Sequence, residues 1–144
     1  MAPGKNKNVI LLPIFPQYAN AIMEGRKKIE FRKKNIPTNI EFVVIYSTKP
    51  EKKVIGLFKV ETITKAHPKI LWDNFKDIGC VKKEFLFDYY DGHDQGVAIH
   101  VGRTYEFSQP FNLSDLNDNL NPPQSFRYLK NDEWKTIKKY LNLK

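Results

Sequence analysis

The sequence predicts an α+β domain built on a small, strongly curved sheet or barrel, and three observations carry that expectation. Strand-like runs occupy both halves of the 144-residue chain. Short helical patterns are inserted between them without the strand–helix–strand rhythm of a doubly wound parallel sheet. The length fits one domain, and no repeat, low-complexity tract or linker divides it. Residues 1–8 are polar and expected to form a flexible leader, and residues 9–144 a single domain.

Each element has its own warrant. Val9–Ile14 is an apolar β-type run stopped by Pro13 and Pro16. Pro16 suits the first position of a helix, where a missing N–H costs nothing. Tyr18 with Ile22, and Ala19 with Met23, then fall four apart on one side, and Gly25 supplies the stop. A basic strand is expected over roughly 27–33. Ile40–Thr48, β-branched and aromatic, reads as a strand buried on both faces. A turn at Lys49–Lys52 leads to a strand over Val54–Ile63, with Gly56 at a bulge or a close backbone approach. Pro68 opens a short helix through Phe75, and Val81–Tyr90 forms a second, closed by Asp91-Gly92. Gly96–Phe107 alternates again, with Val97, Ile99 and Val101 on one face and Ala98 and His100 on the other. Residues 110–129 are turn-rich. Asn131 is expected to cap a last helix with Asp132 and Glu133 at its positive end and Trp134, Ile137 and Leu141 on its buried stripe.

Charge narrows the function. Lys and Arg number 24 against 16 Asp and Glu, a net charge of +8. Residues 26–34 hold six cations (Arg26, Lys27, Lys28, Arg32, Lys33, Lys34) against one acid, Glu30. Clustering of this kind favours an anionic partner over a general solubility charge. Cys80 is the single cysteine, so no internal disulfide forms, and the three histidines (His67, His93, His100) lack metal-ligand spacing. No cofactor is expected. Without a signal-like run or a long apolar stretch, a cytoplasmic protein with no membrane association is the expectation.

Alternation places Glu30 and Arg32 on one strand face, so a carboxylate–guanidinium pair there is geometrically easy. Lys27 starts on the apolar face beside Ile29 and Phe31, where desolvation would lower its pKa and suit it to proton transfer. The competing reading makes the pair structural and the other cations a solvated face. Tyr46, Ser47 and Thr48 either present hydroxyls to a ligand or finish the strand. Phe126, Arg127 and Tyr128 form an aromatic–cation–aromatic triplet able to stack bases, or a latch onto the barrel. Trp72, Phe75, Phe85 and Tyr89 are expected in the core.

The pattern Gly-x-Lys-x-x-Glu-x-Arg, carried by Gly25, Lys27, Glu30 and Arg32, resembles the signature of the ASCH domain, a branch of the PUA-like superfamily. The likeness extends over roughly residues 9–130. Around the motif stand the preceding helix, the strand ending Tyr46-Ser47-Thr48, the Gly56 strand, the insert with Trp72 and Tyr89-Tyr90-x-Gly92, the Gly96-Val-Ala-Ile99 strand and Pro123-Gln-Ser-Phe126. This resemblance implies a small β-barrel of about five or six strands with flanking helices, its motif lining a cleft between them. It also implies a module for RNA or a modified nucleotide, with DNA a further possible partner, and candidate contacts Arg26, Lys27, Lys28, Glu30, Arg32, Tyr46, Ser47, Thr48, Arg127 and Tyr128. Some small bacterial members hydrolyse N4-acetylcytidine with the motif lysine, a threonine at the Glu30 position and a glutamate in the insert. Under that alternative the catalytic set here would be Lys27, Glu30 and Asp77. A ribonuclease in the same cleft and a protein-interaction regulator of transcription or translation complete the alternatives.

Overall fold

The computed structural model describes residues 8–33 and 36–141. The expected leader, apart from Asn8, and Lys34 of the basic run lie outside the described residues. The chain runs through β1 (Val9–Ile14), α1 (Pro16–Met23), β2 (Ile29–Arg32), β3 (Phe42–Ser47), β4 (Lys53–Ala66), α2 (Pro68–Phe75), α3 (Lys83–Tyr89), β5 (Gly96–Phe111), β6 (Arg127–Tyr128) and α4 (Asn131–Lys139). The strands form one sheet in the order β2-β5-β4-β3-β1-β6, curled into a half-barrel. β1 and β3 pair in parallel and the other neighbours antiparallel. Closure is incomplete: β2 and β6 are the two edges, and a seam runs between them.

Two long strands do most of the curling. β4 and β5 span 14 and 16 residues and share register shifts at Val54/Gly56, Phe58/Val60 and Val60/Thr62. Each shift adds local twist, so the strands serve two differently oriented halves of the sheet. Gly56 sits at one of them as expected. A Cβ there would lie 2.5 Å from the Tyr105 carbonyl oxygen, so only glycine lets the backbones approach.

Three apolar clusters result. The half-barrel interior packs Ile10, Leu12, Ile45, Phe58, Val97 and Ile99 against Ala19 and Ile22 of α1. The outer face of β1, β3 and the far part of β4 and β5 packs Leu11, Val44, Leu57 and Phe107 under α4 through Ile137. The third joins Ile29, Phe31 and Ala98 to Leu71, Leu86 and Tyr90 of the α2–α3 insert. Even and odd residues of one strand thus enter different clusters, as period-2 alternation requires.

Boundaries shift from expectation at the basic strand, which starts at Ile29, at the second insert helix, which starts at Lys83, and at the last helix. Asn131 is the first residue of α4, and Lys130 stands at its cap, where its N–H donates to Glu133 Oε1 at 2.8 Å. Glu133 can reach back because it is the third residue of the helix, and that reciprocal bond sets the start. Among the described residues, no helix is long and apolar enough to cross a membrane.

Candidate functional site

Gly25 ends α1 with φ of +84°, and the N–H groups of Arg26 and Lys27 both return to the Ala21 carbonyl. The chain therefore leaves the helix in a tight hook before the β2 pleat begins at Ile29. Lys27 lies in the hook, free of strand alternation, and its side chain turns inward until 1% exposed. Its Nζ donates to the Gly79 carbonyl at 2.5 Å, stands 3.8 Å from Glu30 Oε1, and lies over the Tyr18 and Phe31 rings at 5.0 and 5.5 Å from their centroids. Burial lowers the Lys27 pKa, with the Glu30 carboxylate acting in the opposite direction. Desolvation wins because the ammonium has left water for aromatic surroundings.

Glu30 and Arg32 share the β2 face turned toward the seam, and Arg32 Nη1 is 3.2 Å from Glu30 Oε2. Nη1 also donates to the Pro13 carbonyl of β1 at 3.0 Å, and Nη2 to the Ser125 carbonyl, just before β6, at 3.1 Å. One guanidinium thus ties edge strand β2 to the opposite edge of the sheet. Below it, the Tyr90 hydroxyl donates to the Arg32 carbonyl at 2.8 Å, with the Val97 carbonyl at 3.3 Å.

Along this seam lies a cleft of about 520 Å³. Lys27, Glu30 and Arg32 form its charged floor. Its walls include Phe15, Tyr18, Phe31, Phe85 and Tyr89, with Thr48 at the end of β3 and Pro122–Gln124 on the far side. Tyr18 and Phe85 rings lie 5.9 Å apart, and Phe85 is parallel to Tyr89 within 3° at 6.5 Å. Lys33 sits over the outer face of this wall, 4.8 Å from the Tyr89 centroid. A mostly apolar hollow with a few convergent charged groups, in this size range, is the usual form of a small-ligand site.

The candidates separate sharply. Lys27, Glu30, Arg32 and Thr48 line the cleft. Arg26 is exposed and paired with Glu24 at 2.6 Å, and Lys28 points to solvent while its backbone N–H bonds the Ile78 carbonyl. Neither lines the cleft, because the strand alternation that would have aimed Lys28 inward starts one residue later. Tyr46 belongs to the outer cluster beneath α4, where burial raises its pKa. Ser47 is buried with its Oγ lacking a hydrogen-bond partner. Arg127 is taken up by Glu133, with contacts at 3.0 and 3.4 Å that brace α4 on β6. Tyr128 is 43% exposed, edge-on to Phe126 and outside the cleft. Asp77 is exposed in the α2–α3 connection and does not line the cleft, which leaves Glu30 as its carboxylate among the described residues.

Phe85, expected in the core, stands instead in the cleft wall, 41% exposed, while Tyr89 packs against the third cluster and lines the cleft as well. Helical spacing places both on the face toward the sheet, but the open seam leaves that face unfilled beside them. Gly79, which presents its carbonyl to Lys27, carried no sequence signal. Its neighbourhood explains the residue type, since a Cβ would meet the Phe31 ring at 2.5 Å. No group of three or more His, Cys, Asp or Glu side chains is gathered as a metal site among the described residues.

Comparison with known proteins agrees with the motif. The ASCH domain model matches residues 12–111. The chain is 31% identical over 135 residues to a Zymomonas mobilis protein named ASCH domain-containing ribonuclease, covering 91% of this chain and 89% of that one. The crystal structure of ASCH from Zymomonas mobilis superposes with a TM-score of 0.86 at 26% identity, over 92% of this chain and 94% of that one. A large ribosomal subunit protein of Ureaplasma parvum is 28% identical over 122 residues, which span 84% of this chain but 39% of that protein.

Proposed function

The chain belongs to the ASCH domain family, and from that premise we propose that it acts on RNA through the seam cleft, binding an unpaired nucleotide. One observation carries the reading: a charged floor of buried Lys27 and Glu30 with part-buried Arg32 lies beneath aromatic walls in a hollow open to solvent. Every base offers a π face to such walls, and a planar guanidinium suits phosphate oxygens or a base edge. A duplex keeps its bases stacked and paired, so single strands fit the hollow better. Arg26, Lys28 and Lys33 of the basic run, exposed and outside the cleft lining, supply sequence-independent attraction to the backbone. The name of the Zymomonas relative supports RNA as the partner class.

Cleavage is the second reading. It is favoured by the name of that relative and by the position of Lys27 on the floor, where burial has made it easier to deprotonate. A lysine neutral nearer to physiological pH can accept a proton from an attacking hydroxyl.

Fluorescence anisotropy with labelled single-stranded RNA, the matching duplex and single-stranded DNA tests binding, and gels of the same mixtures test cleavage. Single-stranded RNA is expected to bind best, with a steep salt dependence. Lys27→Met, which keeps the length of an apolar stem, separates the two readings: lost cleavage with retained binding supports catalysis. Absence of both binding and cleavage at low salt removes RNA as the partner.

A further inference from the structure

The floor of the cleft has an unused half. A guanidinium carries five N–H groups. Nη1 of Arg32 uses both of its own, on the Pro13 carbonyl and Glu30 Oε2. Nη2 uses one, on the Ser125 carbonyl. The Nε–H and the second Nη2–H meet no acceptor among the described residues. Nε and Nη2 share one edge of the planar group, and such an edge can grip two oxygens of a single anion. The side chain is 15% exposed and lines the cleft, which brings the guanidinium within reach of a ligand there.

Charge points the same way. Lys27 and Arg32 are two cations against the single carboxylate of Glu30, leaving one positive charge in a largely apolar hollow. Such a site favours an anionic partner, because an unmatched desolvated charge is costly and an arriving partner relieves it. Tyr18, Phe85 and Tyr89 stand on the wall of the same hollow and offer ring surface to a planar group.

We propose that the cleft is a single-nucleotide site in which the free edge of Arg32 takes one phosphate and the Tyr18–Phe85–Tyr89 wall takes the base belonging to it. The inference rests on the RNA reading above and names the unit recognised, a nucleoside together with its phosphate. That phosphate belongs either to a strand or to a free nucleoside monophosphate, and the experiment tells the two apart.

The test titrates the wild-type protein with the common ribonucleosides, their 3′- and 5′-monophosphates, inorganic phosphate and a short single-stranded RNA, by calorimetry. At least one monophosphate should bind about tenfold or more tightly than both its nucleoside and inorganic phosphate, the gain expected of a charge-assisted pair of hydrogen bonds. Arg32→Lys keeps the charge and loses the two-pronged edge, so the phosphate advantage should fall to about threefold or less while nucleoside affinity holds. Lys135→Gln, on an exposed position of α4, should leave the advantage intact. Equal affinity for nucleoside and monophosphate in the wild type overturns the proposal whatever the variants do, and an advantage that survives Arg32→Lys removes Arg32 from it. If the RNA binds and monophosphates show no advantage, the single-nucleotide site is wrong and the RNA reading stands. If monophosphates show the advantage and the RNA does not bind, the site is right and its ligand is a free nucleotide.

Discussion

Replacing Glu30 with glutamine keeps the size of the side chain and removes the carboxylate that separates two cations, Lys27 buried and Arg32 part-buried. Lys27 Nζ lies 3.8 Å from one carboxylate oxygen and Arg32 Nη1 3.2 Å from the other. At an effective dielectric of about 20, each attraction has a gross value of about 4 kcal/mol, much of it offset by desolvation. Removing one partner of a buried pair costs about 3–5 kcal/mol, because the remaining charge stays desolvated. Glutamine still accepts a hydrogen bond from Arg32, so the low end, about 3 kcal/mol, is expected. For a domain of this size that loss lowers Tm by about 10 °C. The deficit also depends on pH, with a definite sign. Lys27 has a folded pKa below its ordinary value of 10.5, so between the two values the unfolded chain binds more protons. Stability contributed by this group therefore rises with pH across that window and is flat beneath it. Glu30→Gln removes the charge that raises the Lys27 pKa, extending the window downward and deepening the deficit at neutral pH. Urea unfolding of both proteins at about pH 7 and about pH 9.5 reads the effect, with a smaller gap expected at the higher pH. A cost below about 1 kcal/mol at neutral pH, or the same cost at both, would refute a buried, interacting triad.

Two further outcomes follow from the cleft walls and floor. Phe85→Ala removes a ring that is 41% exposed, so unfolding midpoints should barely move while single-stranded RNA binding weakens about tenfold, read by anisotropy and urea melts on one preparation. Tyr90→Phe deletes the hydroxyl shared between the Arg32 and Val97 carbonyls and should cost about 1–2 kcal/mol, with faster hydrogen exchange concentrated in β2.

The fold was legible where local chemistry and tertiary environment agree. Pro16, Gly25, Pro68 and Gly92 marked ends that the structure keeps, and the alternation of Val97, Ile99 and Val101 against Ala98 separates two of the clusters. The Glu30–Arg32 pair was readable because residues two apart in a strand share a face. Two cleft candidates, Lys28 and Tyr46, fell elsewhere. Lys28 precedes the pleat, and Tyr46 obeys it on a face that turned out to be roofed by α4, more than eighty residues later. Arg127 looked free to stack on bases because its partner Glu133 is the reciprocal cap of a helix whose start was placed one residue off. The parallel pairing of β1 with β3 depends on long-range packing that no local pattern encodes. The aromatic wall was hidden for a related reason: helical spacing tells which side of α3 faces the sheet, and nothing local tells that the sheet stops short there.

That seam gives the eight-residue motif its meaning. The spacing Gly25, Lys27, Glu30, Arg32 makes a hook, one residue freed from the pleat, then two charges on a common face. On an interior strand those charges would be driven into a neighbour's apolar core at prohibitive cost. On β2, an edge strand, they face the gap between the sheet margins, where Arg32 finds the Pro13 and Ser125 carbonyls and Lys27 finds Gly79. Barrel closure and the candidate site therefore depend on the same guanidinium, through different hydrogens. Because a ligand on the free edge leaves the closing bonds in place, its binding energy adds to that closure. Occupancy should then raise the unfolding temperature with the logarithm of ligand concentration over Kd, and a ligand that had to break the seam would show a weaker Kd and a smaller shift at the same concentration.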